Sequence, residues 1–319
     1  PLVEEADIIH LHWINQGFLS LRDIERLVKQ NKPIVWTMHD MWPCTGICHH
    51  ARDCEKFQTE CESCFFLKSK GKDLSTSVFD KKMSLYKDAN ITFVGCSRWL
   101  SGRAKKSYLL RGKAVLSIPN PIDTKVYHPM DQGMARELLG LPSGKRLLLF
   151  GALNVTDKRK GIDYLIEALR RMEKQDVELV VFGQVKDDIR GLFPVPIHSM
   201  GYLSDESKIV ALYNAVDMFI TSSLEENLPN TIMESMACGT PCVGFEIGGI
   251  PEMIDHRVNG YVANYKDAGD LANGIQWVLE HEDRLALSDA CVKKVQENYT
   301  EEVVAKQYTA LYEKLLKGE

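Results

Sequence analysis

Residues 222–239 read SSLEENLPNTIMESMACG, a loop turning into a helix with two carboxylates, Glu226 and Glu234, eight positions apart. Pro229 suits a first helical turn, where its missing N–H costs nothing. Gly239 followed by Pro241 supplies the stop signal. Ile232, Met233, Met236 and Ala237 form an apolar stripe, while Asn230 and Glu234 share another face at i, i+4. Glu226 then lies just before the helix and Glu234 one turn inside it. That end offers free backbone N–H groups and a positive dipole, which suit phosphate. Carboxylates beside an anion site are better placed to accept hydrogen bonds from neutral hydroxyls. A ligand carrying both phosphates and hydroxyls, as a nucleotide sugar does, meets both demands.

Outward from this stretch the chain alternates short apolar strands with amphipathic helices. Strands are expected at residues 7–11, 33–37, 91–95 and 114–118, with helices near 17–30, 78–87 and 97–107. After the breaker cluster Pro119-Asn120-Pro121 the pattern restarts. Strands follow at 147–151, 178–183, 197–200, 218–222 and 241–245, and helices near 162–173, 205–215, 229–238, 267–280, 283–297 and 301–317. Such alternation predicts α/β architecture with parallel, doubly wound sheets, whose ligands sit at the carboxyl ends of the strands. Two sheets joined near residue 121 account for the length of 319 residues.

Composition sets bounds. Hydrophobic content of 45% and charged content of 26% are those of an ordinary globular protein, and a net charge of −5 gives no general attraction to nucleic acid. No apolar run approaches the ~18 residues of a membrane span and no secretory signal opens the chain. These features predict a cytoplasmic protein. Five of the nine cysteines crowd between Cys44 and Cys64. Four of them, Cys48, Cys54, Cys61 and Cys64, suggest a structural Zn²⁺, with Cys44, His49 and His50 as spare ligands. Two disulfides or unligated thiols are the alternatives. Between Arg98 and Lys113 six basic residues occur without an acid. They fit either a solvated basic face or peripheral contact with the inner face of a membrane.

Several motifs, in order, resemble those of retaining glycosyltransferase family four, which has the GT-B fold. Glu226 to Glu234 resembles its E-x7-E motif, and Ala237-Cys238-Gly239-Thr240-Pro241-Cys242-Val243 its A-x-G-x-P-V-V segment. Thr37-Met38-His39-Asp40, Ile118 to Asp123, Lys160-Gly161 and Gly248 to Glu252 complete the set. The resemblance implies two Rossmann-like domains facing a cleft. Residues 1–121 would be the acceptor side and carry the Cys-rich loop 44–64. Residues 122–300 would bind a nucleotide-diphosphate sugar, and the helix in 301–319 would pack back on the first domain. With four strand candidates before residue 121, where a doubly wound sheet commonly has about six, the first domain is expected to lack an N-terminal segment.

The resemblance also assigns roles. Glu234 would accept both ribose hydroxyls, and Glu226 would stand near the transferred sugar. The backbone of Asn227, Leu228 and Asn230 would face the phosphates, and Tyr202 and Leu203 would flank the nucleobase. Lys160, with Arg159 or Lys158, would hold the diphosphate beside Gly151. Family members usually carry an Arg after that glycine; here it is Ala152. His39 follows a strand and would contact the transferred sugar. The expected reaction is metal-independent, retaining transfer of a hexosyl group to a glycan or lipid-linked acceptor, as in bacterial surface polysaccharide synthesis. No cofactor beyond the structural zinc is implied. A sugar-nucleotide-binding protein without catalysis is the alternative.

Overall fold

The computed structural model describes residues 2–155, 157–172, 176–184 and 190–318. The chain divides into two compact units: Pro1–Pro119 with Ala305–Glu319, and Asn120–Val304.

The first unit is built on a four-stranded parallel sheet, β1 (Ile9–Leu11), β2 (Ile34–Met38), β3 (Ile91–Gly95) and β4 (Val115–Ser117), in that spatial order. Every residue of β2 and β3 is buried. Continuous burial is what a strand covered on both faces requires, and it explains the unbroken runs IVWTM and ITFVG. Trp36, Tyr86 and Phe93 pack edge-to-face and stacked in its core, with ring centroids 5.3–6.1 Å apart. The helix Leu21–Val28 starts at Ser20, later than residue 17. Ser20 and Asp23 form a reciprocal capping box there, and Gly17 takes a left-handed φ of +88°. The long helix Glu301–Lys317 joins this unit through Tyr308 and Tyr312. Tyr308 Oη lies 2.7 Å from Thr37 Oγ1, and Tyr312 Oη lies 2.6 Å from His10 Nδ1.

The second unit has a six-stranded parallel sheet: β5 (Arg146–Asn154), β6 (Val177–Gln184), β7 (Ile197–Gly201), β8 (Met218–Thr221), β9 (Cys242–Phe245) and β10 (Gly260–Ala263). Its spatial order is β10-β9-β8-β5-β6-β7. β10 was not anticipated, because four residues with a leading glycine carry little strand signal. The helix Gln132–Leu139, closed by Gly140 in the left-handed region, was also not anticipated. β5 pairs with β6 on one side and β8 on the other, so the strand order reverses direction between β5 and β8. In open parallel sheets that reversal opens a crevice beyond the carboxyl ends of the two strands. Residues 157–161 come after β5, and the chain leaving β8 leads into 222–230. The lysine–glycine turn and the two-glutamate stretch therefore meet by topology.

Candidate functional site

The meeting of those two segments is enforced by backbone. Gly161 has φ +64°, and a Cβ there would lie 1.9 Å from the carbonyl oxygen of Ser222. Only glycine fits this approach. Ser222 Oγ donates to the Lys160 carbonyl at 3.0 Å, and Leu224 N–H donates to the Arg159 carbonyl at 2.7 Å. A third segment braces the other side. Gly248, at φ +58°, would place a Cβ 2.0 Å from the Glu226 carbonyl oxygen, and Gly249 N–H donates to the Asn227 carbonyl at 2.6 Å. The motif glycines thus hold three loops in contact.

Within this frame Lys160 Nζ lies 2.5 Å from Glu226 Oε1, with the Glu226 side chain only 15% exposed. The helix Asn230–Ala237 follows, with Pro229 as its N-cap residue, one position earlier than its expected place inside the first turn. The N-cap has no side-chain hydrogen bond, which leaves the first-turn N–H groups without a cap from it. Leu228 and Asn227 are buried and Asn230 is exposed. Glu234 lies one turn in, where Tyr213 Oη donates to its Oε2 at 2.8 Å. Burial raises the Glu234 pKa above its ordinary value, the Tyr213 hydrogen bond opposes that rise, and Glu206 adds to it. The Arg159 guanidinium turns onto Asp157, with contacts of 2.6–3.2 Å, so it pairs within its own turn. Lys158 occupies the same single turn. Gly151 packs under the Phe182 ring and Ala152 is buried. Tyr202 and Leu203 follow β7, Tyr202 being 62% exposed beyond Gly201 at φ +63°.

In the first unit, β1 and β2 end side by side. His10 and His12 alternate by two along the chain, so they share a face, and their rings stand 4.3 Å apart. His12 Nδ1 lies 3.1 Å from His39 Nε2, at the end of β2. One proton bridges two ring nitrogens at that distance. Burial, then His12, lowers the pKa of His39 against a rise from Asp40. His10 falls to about 4, through burial and then its histidine neighbours. Asp40 accepts from Trp42 N–H at 2.7 Å and Trp13 Nε1 at 3.0 Å and pairs with His49 at 2.7 Å. These contacts outweigh burial and keep its carboxyl below the ordinary range. Sequence reasoning singled out His39 but missed His10, His12 and Trp13. The signal was present in His10-Leu11-His12-Trp13, two histidines at strand spacing on a strand end.

The Cys-rich loop is ordered by side chains of ordinary chemistry. The buried Lys82 ammonium donates to the carbonyls of Trp42, Thr45 and Gly46 at 2.5–3.1 Å and lies 3.4 Å from the Trp42 ring centroid. Cys48, Cys54, Cys61 and Cys64 are all free thiols. Burial raises Cys48, and Cys64 and Cys54 add to the rise. Cys61 is pushed up to about 11, by burial first, and its sulfur accepts Gly46 N–H at 3.3 Å. Among the described residues, no group of three or more His, Cys, Asp or Glu is arranged to hold a metal ion.

Residues 144–281 match the family model of glycosyl transferases group 1. The second unit is thus a group 1 glycosyltransferase domain. Curated relatives include N-acetyl-alpha-D-glucosaminyl L-malate synthase of Bacillus anthracis, 24% identical over 65% of this chain and 55% of its own length. Another is the putative colanic acid biosynthesis glycosyl transferase WcaC of Escherichia coli, 23% identical over 74% of this chain and 59% of its own. The chain spans less than two thirds of the length of these relatives. A solved structure of Anabaena HepE in complex with UDP superimposes with a TM-score of 0.74 at 18% identity, covering 98% of this chain and 80% of that one. The fold is that of the GT-B glycosyltransferases.

Proposed function

We propose that the protein transfers a hexosyl group, with retention, from a nucleotide-diphosphate sugar to a glycan or lipid-linked acceptor in surface polysaccharide synthesis. The observation that carries this is the assembly of Lys160, Glu226 and Glu234 around one uncapped helix end at the β5/β8 reversal. In this reading Glu234 accepts the ribose hydroxyls. The diphosphate displaces Glu226 from Lys160 and lies against the first-turn N–H groups of Asn230–Ala237. Arg159 and Lys158 supply further positive charge. Glu226, released, accepts from the sugar.

Glu234 is hydrogen-bonded to Tyr213 and taken up by ribose, so it is not a nucleophile. The acceptor oxygen attacks the anomeric carbon on the face the diphosphate leaves. One C–O bond forms as the other breaks. The acceptor's proton passes to the departing diphosphate, whose growing charge Lys160 and the helix end offset. The first unit, with His39 beside His12, takes the acceptor side of the chemistry, and the reaction needs no metal ion. The described residues include no helix long and apolar enough to cross a membrane.

Thermal shift and saturation-transfer NMR with UDP-, GDP- and ADP-sugars test the donor reading. One nucleotide class should raise the melting temperature and show ribose saturation, and Lys160→Ala should abolish both. No response to any of the three would sink it.

A further inference from the structure

We propose that the loop Phe65–Lys72 is an anchor for an anionic lipid surface. This goes beyond sugar transfer and does not depend on it.

The tip of the loop carries three consecutive large apolar side chains in solvent: Phe65, Phe66 and Leu67, 43%, 46% and 39% exposed, with Leu74 at 60% just beyond. The two phenyl rings stand 4.0 Å apart, and the Arg52 guanidinium lies over both at 5.8 and 5.4 Å. Lys68, Lys70 and Lys72 follow at alternate positions, all exposed, and no carboxylate occurs between Ser63 and Lys72. Asp73, at the far end, is turned into its own loop. It accepts from Cys64 N–H at 2.8 Å, from the Ser69 hydroxyl and from Ser75 N–H.

The exposure is built in. Ser63 N–H donates to the Gly71 carbonyl and Gly71 N–H to Ser63 Oγ, both at 2.8 Å, closing the loop at its neck. Lys68 adopts a left-handed φ of +50°, a conformation uncommon for a residue with a Cβ. A loop braced this way cannot fold its aromatic tip inward. Three adjacent apolar side chains held in water mark a contact surface, and aromatic rings beside a comb of lysines match the boundary between headgroups and acyl chains. The basic helix Arg98–Lys105 packs on the same Cys-rich segment. Its Arg103 lies over the Phe57 ring at 4.9 Å and within 3.5 Å of the Cys54 carbonyl. Arg103 also pairs with Glu55 at 3.7 Å, so the positive charge offered to the surface is that of Lys68, Lys70 and Lys72.

Co-sedimentation of the full chain with vesicles of phosphatidylcholine, alone or mixed with phosphatidylglycerol, tests the proposal. At ~0.15 M salt the protein should sediment with the mixed vesicles and stay in solution with phosphatidylcholine alone. Phe65→Ser/Phe66→Ser should weaken partitioning at least about tenfold. Lys68→Gln/Lys70→Gln/Lys72→Gln should weaken it by about ten- to a hundredfold, because each lysine at an anionic surface contributes a few-fold. It should also flatten the salt dependence. Both variants should melt at the wild-type temperature, since every altered side chain is exposed. Wild-type binding that ignores phosphatidylglycerol, or equal binding by the two variants and wild type, would overturn the proposal. So would a dimer in light scattering that disappears with the Phe65/Phe66 change, which would make a second copy the occupant.

Discussion

Glu234 shows how a single carboxylate can be worth more to a ligand than to the fold. It is mostly buried beside Glu206 and held by one phenol, so its pKa is raised. A raised carboxyl pKa means the folded state binds its proton more tightly than the unfolded chain. Its contribution is fully present below the unfolded-chain pKa and is lost as the pH rises through the raised value, where the buried carboxyl must carry its charge. Glu234→Gln, which keeps the oxygen that Tyr213 bonds, should therefore leave the ligand-free protein at least as stable near neutral pH. The same change removes a charged acceptor for two hydroxyls, where each charge-assisted bond contributes ~1.5–3 kcal/mol. Nucleotide-sugar affinity should fall at least about tenfold by calorimetric titration. In the wild type it should already weaken as the pH drops through the raised pKa. Unchanged affinity with unchanged stability would remove Glu234 from the donor site. Glu234 and Glu226 could be found in the sequence because a helix-start signal fixes where a side chain stands. The hydrogen bond from Tyr213, twenty-one positions earlier, leaves no such local mark. Arg159 has a local partner that spacing could have shown: Asp157, two residues away, pairs with it.

At the scale of elements, strands and helices were legible wherever their apolar faces were continuous, as in β2, β3 and the helix 162–171. Short pieces such as β10 were not, because their stability comes from neighbours distant in sequence. The second unit also depends on a buried charge cluster that no local pattern announces. Asp217, at the start of β8, is 3% exposed at its side chain. It accepts from Arg136 at 3.1 Å, Arg284 at 2.6 Å and Leu147 N–H at 2.7 Å. Arg136 in turn donates to the carbonyls of Ala215, Ser143 and Lys145. One carboxylate thus ties the loop before β5, the end of the helix 206–215 and the start of the helix 284–298. Asp217→Ala leaves Arg136 buried without its counter-charge, and breaking such a pair costs ~3–5 kcal/mol. Urea denaturation should show that loss, while donor affinity of the folded fraction stays near wild type. A loss below ~1 kcal/mol would mean that water replaces the carboxylate.

For the whole molecule, the two parallel sheets follow from the alternating pattern, and the β5/β8 reversal places the motif loops together. The unit assignment of the C-terminal helix is a matter of long-range contact. Tyr308 and Tyr312 sit on Thr37 and His10, with 302 positions separating His10 from Tyr312. Four of the five tryptophans, Trp13, Trp36, Trp42 and Trp99, belong to the first unit, and Trp277 to the second. Fluorescence of a Trp277→Phe variant therefore follows the first unit, and calorimetric nucleotide titration reads the second. Removing residues 305–318 should lower the stability of the tryptophan-reported transition and leave nucleotide binding intact. Equal loss of both would show that the units do not unfold separately.

That same helix carries a kinetic consequence. The second unit is one continuous stretch and can close on itself as soon as residue 304 exists. The first cannot, because its sheet gains its covering tyrosines only after the whole second unit has intervened. Loop-closure entropy grows slowly with length, but contacts of such separation form late. In refolding, the second unit should become compact first, while the first unit waits with Thr37 and His10 uncovered. The interval between the two events is when this chain is most open to a chaperone, a protease or another copy of itself.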